Sequence, residues 1–174
     1  MKKLFLLYLV AALTSCSPVT VSYDFDKQAD FSKYKTYAFS EDALKLPVDQ
    51  LNRDRILKAV ETEMAGKGFS KSDSPDVLVD LQVKAQVETE ATATNTGGMY
   101  GGRYGFAGGY STTQINYNQY TVGSLFINLV DKATEKIVWQ GRGSKTIDEN
   151  ASPAKRDENI TYAVKQIFMK YPPK

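Results

Sequence analysis

The side chains of this sequence that could do covalent or acid–base chemistry include one thiol, Cys16, twenty carboxylates and eleven tyrosines, beside lysines and serines, with no histidine among them. Without imidazole neither a Ser-His-Asp triad nor a Cys-His dyad can be assembled, and the usual zinc sites, which draw on His and Cys, are excluded as well. An enzyme built on this sequence is left with carboxylate, lysine, tyrosine or serine chemistry, and a carboxylate-dependent hydrolase is the form its acidic pairs would allow. The closest acidic set is Asp24, Asp26 and Asp30. A calcium loop wants oxygen ligands at positions 1, 3 and 5 and glycine at 6, whereas Gln28 and Ala29 occupy the last two here, so no metal site is expected. The glycine-rich run from 95 to 110 opens no helix and carries no Gly-Lys-[Ser/Thr], which rejects a phosphate cradle.

Cys16 has no disulfide partner, and its neighbours give it a different role. Lys2 and Lys3 precede an apolar run from Leu4 to Leu13 and then small residues, the layout of a secretory signal. That run is half of the roughly 20 residues a spanning helix needs. Leu13-Thr14-Ser15-Cys16 resembles the lipobox of bacterial lipoproteins, in which a branched apolar residue and two small ones lead to the cysteine that receives lipid. Cleavage would fall before Cys16, making 1–15 a lipoprotein signal peptide and 16–20 a lipidated N-terminus with a short tether. An unpaired thiol is a liability in an oxidising envelope, and acylation removes it. At about 0.8 kcal/mol per buried CH2, one acyl chain holds a protein marginally and two or three hold it firmly. Palmitate-type chains on Cys16 are therefore the expected membrane anchor, and this covalent lipid is the sole non-protein group expected, with no cofactor. Ser17, where an aspartate is absent, permits outer-membrane delivery with the domain facing the periplasm.

The elements that must position any site follow from the remaining residues. Without 1–15 the chain of 174 keeps 159 residues, the size of one domain, 21–174. Losing Lys2 and Lys3 leaves twenty basic residues against twenty acidic ones, and this neutrality argues against nucleic acid as a partner. Val19 to Phe25 and Tyr37 to Phe39 alternate as two strands. Ile56, Leu57, Val60 and Met64 recur at helical spacing between an N-cap at Asp49 and Gly66-Lys67-Gly68. Val77, Val79, Leu81, Val83, Ala85 and Val87 alternate with Asp80, Gln82, Lys84, Gln86 and Glu88, predicting a strand with one packed and one wet face. A second long strand from about Gln114, with Asn128 on its wet face, leads through Asp131–Thr134 into a partner carrying Trp139. Ile160, Ala163, Val164, Ile167, Phe168 and Tyr171 trace the stripe of a closing helix started by Ser152-Pro153. The expected fold is α+β with a largely antiparallel sheet in the order β-β-α-β-β-β-α, both helices packed on one face.

Between the two long strands lies 95–110, with seven glycines and four aromatics, expected as a loop at a hairpin tip. Tyr100, Tyr104, Phe106 and Tyr110, with Arg103 among them, are costly to leave in water as spacers and form the candidate partner-binding surface.

The chain resembles the domain-of-unknown-function family 4136 of bacterial envelope lipoproteins. The matching pieces are Tyr23-Asp24, Phe31-Ser-x-Tyr34-Lys-Thr-Tyr37-Ala-Phe39, Lys67-Gly68-Phe69, Pro75-Asp76, the run from Gly123 to Asp131, Val138-Trp139-x-Gly141, and Tyr171-Pro-Pro173. The resemblance implies a lipidated Cys16 and brings no catalytic residue. Taken together, the sequence points to a non-enzymatic binding or structural module of the bacterial cell envelope, tethered by lipid and contacting an envelope protein. A binder of a small apolar or glycan ligand is the first alternative, which a deep apolar pocket would favour, and the carboxylate hydrolase the second.

Overall fold

The computed structural model describes residues 18–101 and 107–173. Chain order is β1 (Thr20–Phe25), β2 (Thr36–Phe39), α1 (Glu41–Leu44), α2 (Gln50–Gly66), β3 (Ser70–Lys71), β4 (Val77–Gly101), β5 (Ala107–Asp131), β6 (Ile137–Thr146) and α3 (Pro153–Phe168). The strands form one sheet in the order β1-β6-β5-β4-β2-β3.

The α+β class stands, but the sheet is mixed where a largely antiparallel one was expected, and β3 and α1 are additions to the expected order. β1, β6, β5 and β4 pair antiparallel, while β2 runs parallel to both β3 and β4. The reason is the crossover: α2 lies between β2 and β4 and covers the sheet, so the chain re-enters from the end at which β2 began. β3 spans two residues, too short for any alternation to announce it. α1 is a single turn in which Ser40 Oγ accepts the Ala43 N–H at 3.1 Å.

Both long helices are closed by their own residues. Asp49 Oδ1 accepts the Asn52 N–H at 3.0 Å, and Ser152 Oγ accepts that of Lys155 ahead of Pro153. At the end of α2, Gly68 takes φ +85° while the N–H groups of Phe69 and Gly68 return to the carbonyls of Met64 and Ala65, a Schellman motif.

The core lies against one sheet face. Val77, Val79, Leu81, Ile127, Leu129 and Trp139 are buried with Val60 and Met64 of α2 and Val164, Ile167 and Phe168 of α3. Aromatic residues from four of the pieces that carry the family resemblance meet at one end of it. Tyr171 contacts Phe31, Phe69 and Trp139 at ring-centroid distances of 5.8, 5.8 and 5.4 Å, and Phe69 adjoins Tyr37.

Candidate functional site

β4 and β5 outrun every neighbour they have. β2 pairs with β4 only as far as Val79, and β6 pairs with β5 only as far as Val122. The ladder between β4 and β5 nevertheless continues without a register shift from Val77↔Asp131 to Gly101↔Ala107. From Val87 outward the pair is a two-stranded ribbon, about 45–50 Å long at roughly 3.3 Å per residue. From Gln82 to Gly97 only Val83 is better than exposed, and Ser111 to Gln119 are exposed throughout, so among the described residues nothing covers either face of the ribbon over those stretches.

The stretch 95–110 is therefore not the loop expected: Asn95 to Gly101 and Ala107 to Tyr110 are paired strand. The threonines and tyrosines of Thr89–Thr96 and Tyr110–Tyr120 suit a strand. They are nearly all polar, so the apolar alternation that marked the first half of β4 does not mark the second. Tyr100 and Tyr110 have strand backbone close to the tip, whereas Arg103, Tyr104 and Phe106 lie outside the described residues, as does Cys16.

The ribbon is two-sided. Residues directly opposite share a face, so Val87, Ala91 and Ala93 join Tyr117 and Ile115 on the face continuous with the core. Val87, Ile115 and Tyr117 are 68, 54 and 69% exposed there. Glu88, Glu90, Thr92 and Thr94 share the other face with Tyr120, Asn118, Asn116 and Gln114, and the Tyr120 hydroxyl donates to Glu88 at 3.2 Å.

Where the ribbon leaves the body, Val48, Ile56, Val83, Leu125, Ile147 and Ile160 line an apolar cleft of about 410 Å³. Its rim is polar. Lys145 Nζ donates to Asn159 Oδ1 at 2.8 Å, and Arg156 donates to the carbonyls of Ala151 and Glu149. On the opposite sheet face, expected to be wet, Asn128 is 1% exposed. It donates to Asp80 and accepts from Gln140, while Ser40 donates to the same Asp80 carboxylate. Beyond it Phe126 lies between Lys84 and Arg142, each cation 5.3 Å from the ring centroid.

The carboxylates of the acidic set at 24–30 are occupied by backbone. Asp24, Asp26 and Asp30 each accept an N–H one or two residues on. Among the described residues no three potential metal ligands cluster. The hydroxyl and N–H of Ser32 lower the Asp30 pKa, and the N–H groups of Lys35 and Thr36 lower that of Asp76. Asp131 is lowered by the Thr134 N–H and by the Tyr34 hydroxyl. Burial and that same hydrogen bond push Tyr34 up to about 12. A carboxylic acid serving as proton donor at neutral pH needs the opposite shift, upward.

A family model described as a domain of unknown function, DUF4136, matches residues 21–173. A comparison with curated proteins returned no match. Among solved structures, a PDZ domain protein from Parabacteroides distasonis is similar at 18% identity and a TM-score of 0.52 over 99% of this chain, and this chain spans 40% of that protein. The likeness shows a shared fold. The PelC dodecamer from Paraburkholderia phytofirmans is similar at 11% identity and a TM-score of 0.44, over 86% of this chain and 94% of PelC. A minor lipoprotein from Acinetobacter baumannii is also 11% identical, with a TM-score of 0.36 over 79% of this chain and 91% of its own.

Proposed function

Because the chain belongs to the DUF4136 family, whose description carries no activity, we propose a function from its own residues: a non-enzymatic lipoprotein of the bacterial cell envelope. Acyl chains on Cys16 hold it to the periplasmic side of a membrane, the outer one. The domain carries Tyr100, Arg103, Tyr104, Phe106 and Tyr110 out on the ribbon to a second envelope protein. The observation that carries this reading is the ribbon itself. Ribbon strands bare on both faces add little to the core, so selection for stability alone does not account for them. The sequence from 100 to 110 that joins them combines aromatic residues with a cation, the residue types that anchor protein contacts.

Cys16→Ala tests the anchor. Metabolic acyl labelling is expected to vanish, and the domain to leave the membrane fraction while keeping its wild-type melting temperature. Labelling undiminished in the variant would refute the lipobox.

The apolar cleft favours a second reading, a carrier of a small apolar ligand, since its volume falls in the range of small-molecule sites. A fluorescent fatty acid that binds the wild type and is excluded when Val83→Trp fills the cleft would support it.

A further inference from the structure

The outer edges of the ribbon are open, and their polarity can be read from where each strand leaves its neighbours. The carbonyl of Thr121 accepts the Ile147 N–H at 2.8 Å, and that of Val79 accepts the Ser40 N–H at 3.0 Å. Both face away from the β4–β5 ladder. Antiparallel pairs alternate between residues that bond across the ladder and residues that point out of it. The unbroken register therefore turns the N–H and C=O groups of Thr89, Ala91 and Ala93 outward on β4, and those of Ile115, Tyr117 and Gln119 outward on β5. Among the described residues no strand pairs with either edge there.

Such edges are normally blunted by lysine, proline or a bulge. Here there is no Lys, Arg or Pro from Ala85 to Gly101 or from Ala107 to Val122, and the ladder has no bulge. A two-stranded hairpin by itself is marginal in water.

We propose that the ribbon is an assembly element, in which the β4 edge of one copy of this chain pairs antiparallel with the β5 edge of the next. The two edges run along the same stretch of ribbon in opposite directions. Successive ribbons that all point the same way thus form one antiparallel sheet, β4-β5-β4-β5, in a head-to-tail arrangement that closes into a ring when its rotation allows. Charge fits as well: Glu88 and Glu90 are the only charged residues in the paired stretches outward of Ala85, both on β4, and β5 would set neutral Asn116, Asn118 and Tyr120 beside them. The exposed Val87, Ile115 and Tyr117 would then lie on one face of that sheet, with Thr89 and Gln119 between Val87 and Tyr117. This inference concerns the shaft of the ribbon and holds or fails independently of Cys16.

The test is mass and amide exchange of the mature protein in mild detergent. Wild type is expected to sediment as a multimer, with the outward amides of Thr89, Ala91, Ala93, Ile115 and Tyr117 protected like their even-numbered neighbours. In a monomer the outward amides would exchange about tenfold or more faster than those neighbours. Ala93→Pro removes an outward donor from β4, and Ile115→Pro one from β5, both at edge positions that tolerate proline. Each variant alone should be monomeric with its even-numbered amides still protected, and mixing the two should yield a one-to-one dimer through the edges left intact. A monomeric wild type with fast outward amides would overturn the proposal, as would a multimer that survives both substitutions or a mixture that stays monomeric. Protection of a monomer that appears only on adding phosphatidylethanolamine–phosphatidylglycerol vesicles would overturn it in favour of a lipid surface. Should proline fray the ribbon, loss of even-numbered protection will reveal it, and the comparison of amides in the wild type decides.

Discussion

Thr36 and Asp76, forty residues apart, hold each other reciprocally: the Thr36 N–H donates to the Asp76 carboxylate at 2.8 Å, and the Asp76 N–H donates to the Thr36 hydroxyl at 2.9 Å. Lys35 adds a third bond to the same carboxylate at 2.9 Å. This clamp sits where β2 meets β4, so it fixes the start of the parallel pairing that makes the sheet mixed.

A pH dependence follows from the clamp. The bonds to backbone hold the Asp76 pKa below its ordinary value of 3.8, and Asp131, Asp49 and Asp30 are lowered likewise. A depressed folded-state pKa contributes stability that is present above the unfolded value and lost as pH falls through the folded one. Unfolding midpoints in urea should therefore change little for these groups from pH 7 to 5 and fall below about pH 4. Asp76→Ala should be less stable than wild type at pH 7, with the gap narrowing at pH 3. A gap of constant size would show that the charge of Asp76 takes no part.

What the sequence could and could not announce divides along physical lines. Asp49 and Ser152 each cap a helix where their residue type said they would, and of the two glycines in Gly66-Lys67-Gly68 it is Gly68 that takes the left-handed position, because capping is local. Val77 to Leu81 alternate because one face is buried. The parallel pairing of β2 with β4 depends on where α2 returns the chain, and no periodicity within β2 encodes that. Tyr23, on the alternating apolar side of β1, is 46% exposed since β1 is an edge strand. The outer half of β4 was hidden for the opposite reason: with water on both faces, Thr89 to Thr96 have nothing to alternate against.

Trp139 offers the clearest stability test. Its ring is fully buried, 5.9 Å from that of Phe168, and a Cβ on Gly141 would press on it and on Ile167. Trp139→Ala should cost about 3–5 kcal/mol, and Gly141→Ala about 1–3 kcal/mol by overpacking. Gln82→Ala, on the exposed side of the same sheet, should stay within about 0.5 kcal/mol. Chemical denaturation of the three variants checks the ranking, and a Gln82 effect equal to that of Trp139 would reverse the assignment of faces.

Shortening the ribbon should leave the body intact. Glu90 and Asn118 are opposite partners that bond across the ladder, the geometry a two-residue turn closes well. Replacing Ala91–Tyr117 by Asn-Gly should give a melting temperature equal to or slightly above that of the monomeric Ala93→Pro variant, since the segment removed buries little and closure entropy changes slowly with length. A marked fall in melting temperature would mean that the ribbon braces the sheet.

The tip and the shaft of the ribbon should separate in function. Changing Tyr100, Tyr104, Phe106 and Tyr110 together to serine removes the aromatic surface and leaves untouched the outward amides of Thr89–Ala93 and Ile115–Gln119. Serine takes strand backbone at Tyr100 and Tyr110 with little cost, so the Gly101↔Ala107 ladder and the melting temperature should persist. Aromatic anchors carry a large share of contact energy, and their joint loss should abolish an association in which they are the hot spots. Cross-linking in intact envelopes, followed by identification of the adducts, is expected to lose the envelope partner while copies of this chain still cross-link to one another. Retention of the same adduct at the same yield would refute the tip as the contact surface, and the place to look would then be Phe126 between Lys84 and Arg142, where a ring and two cations already face away from the core.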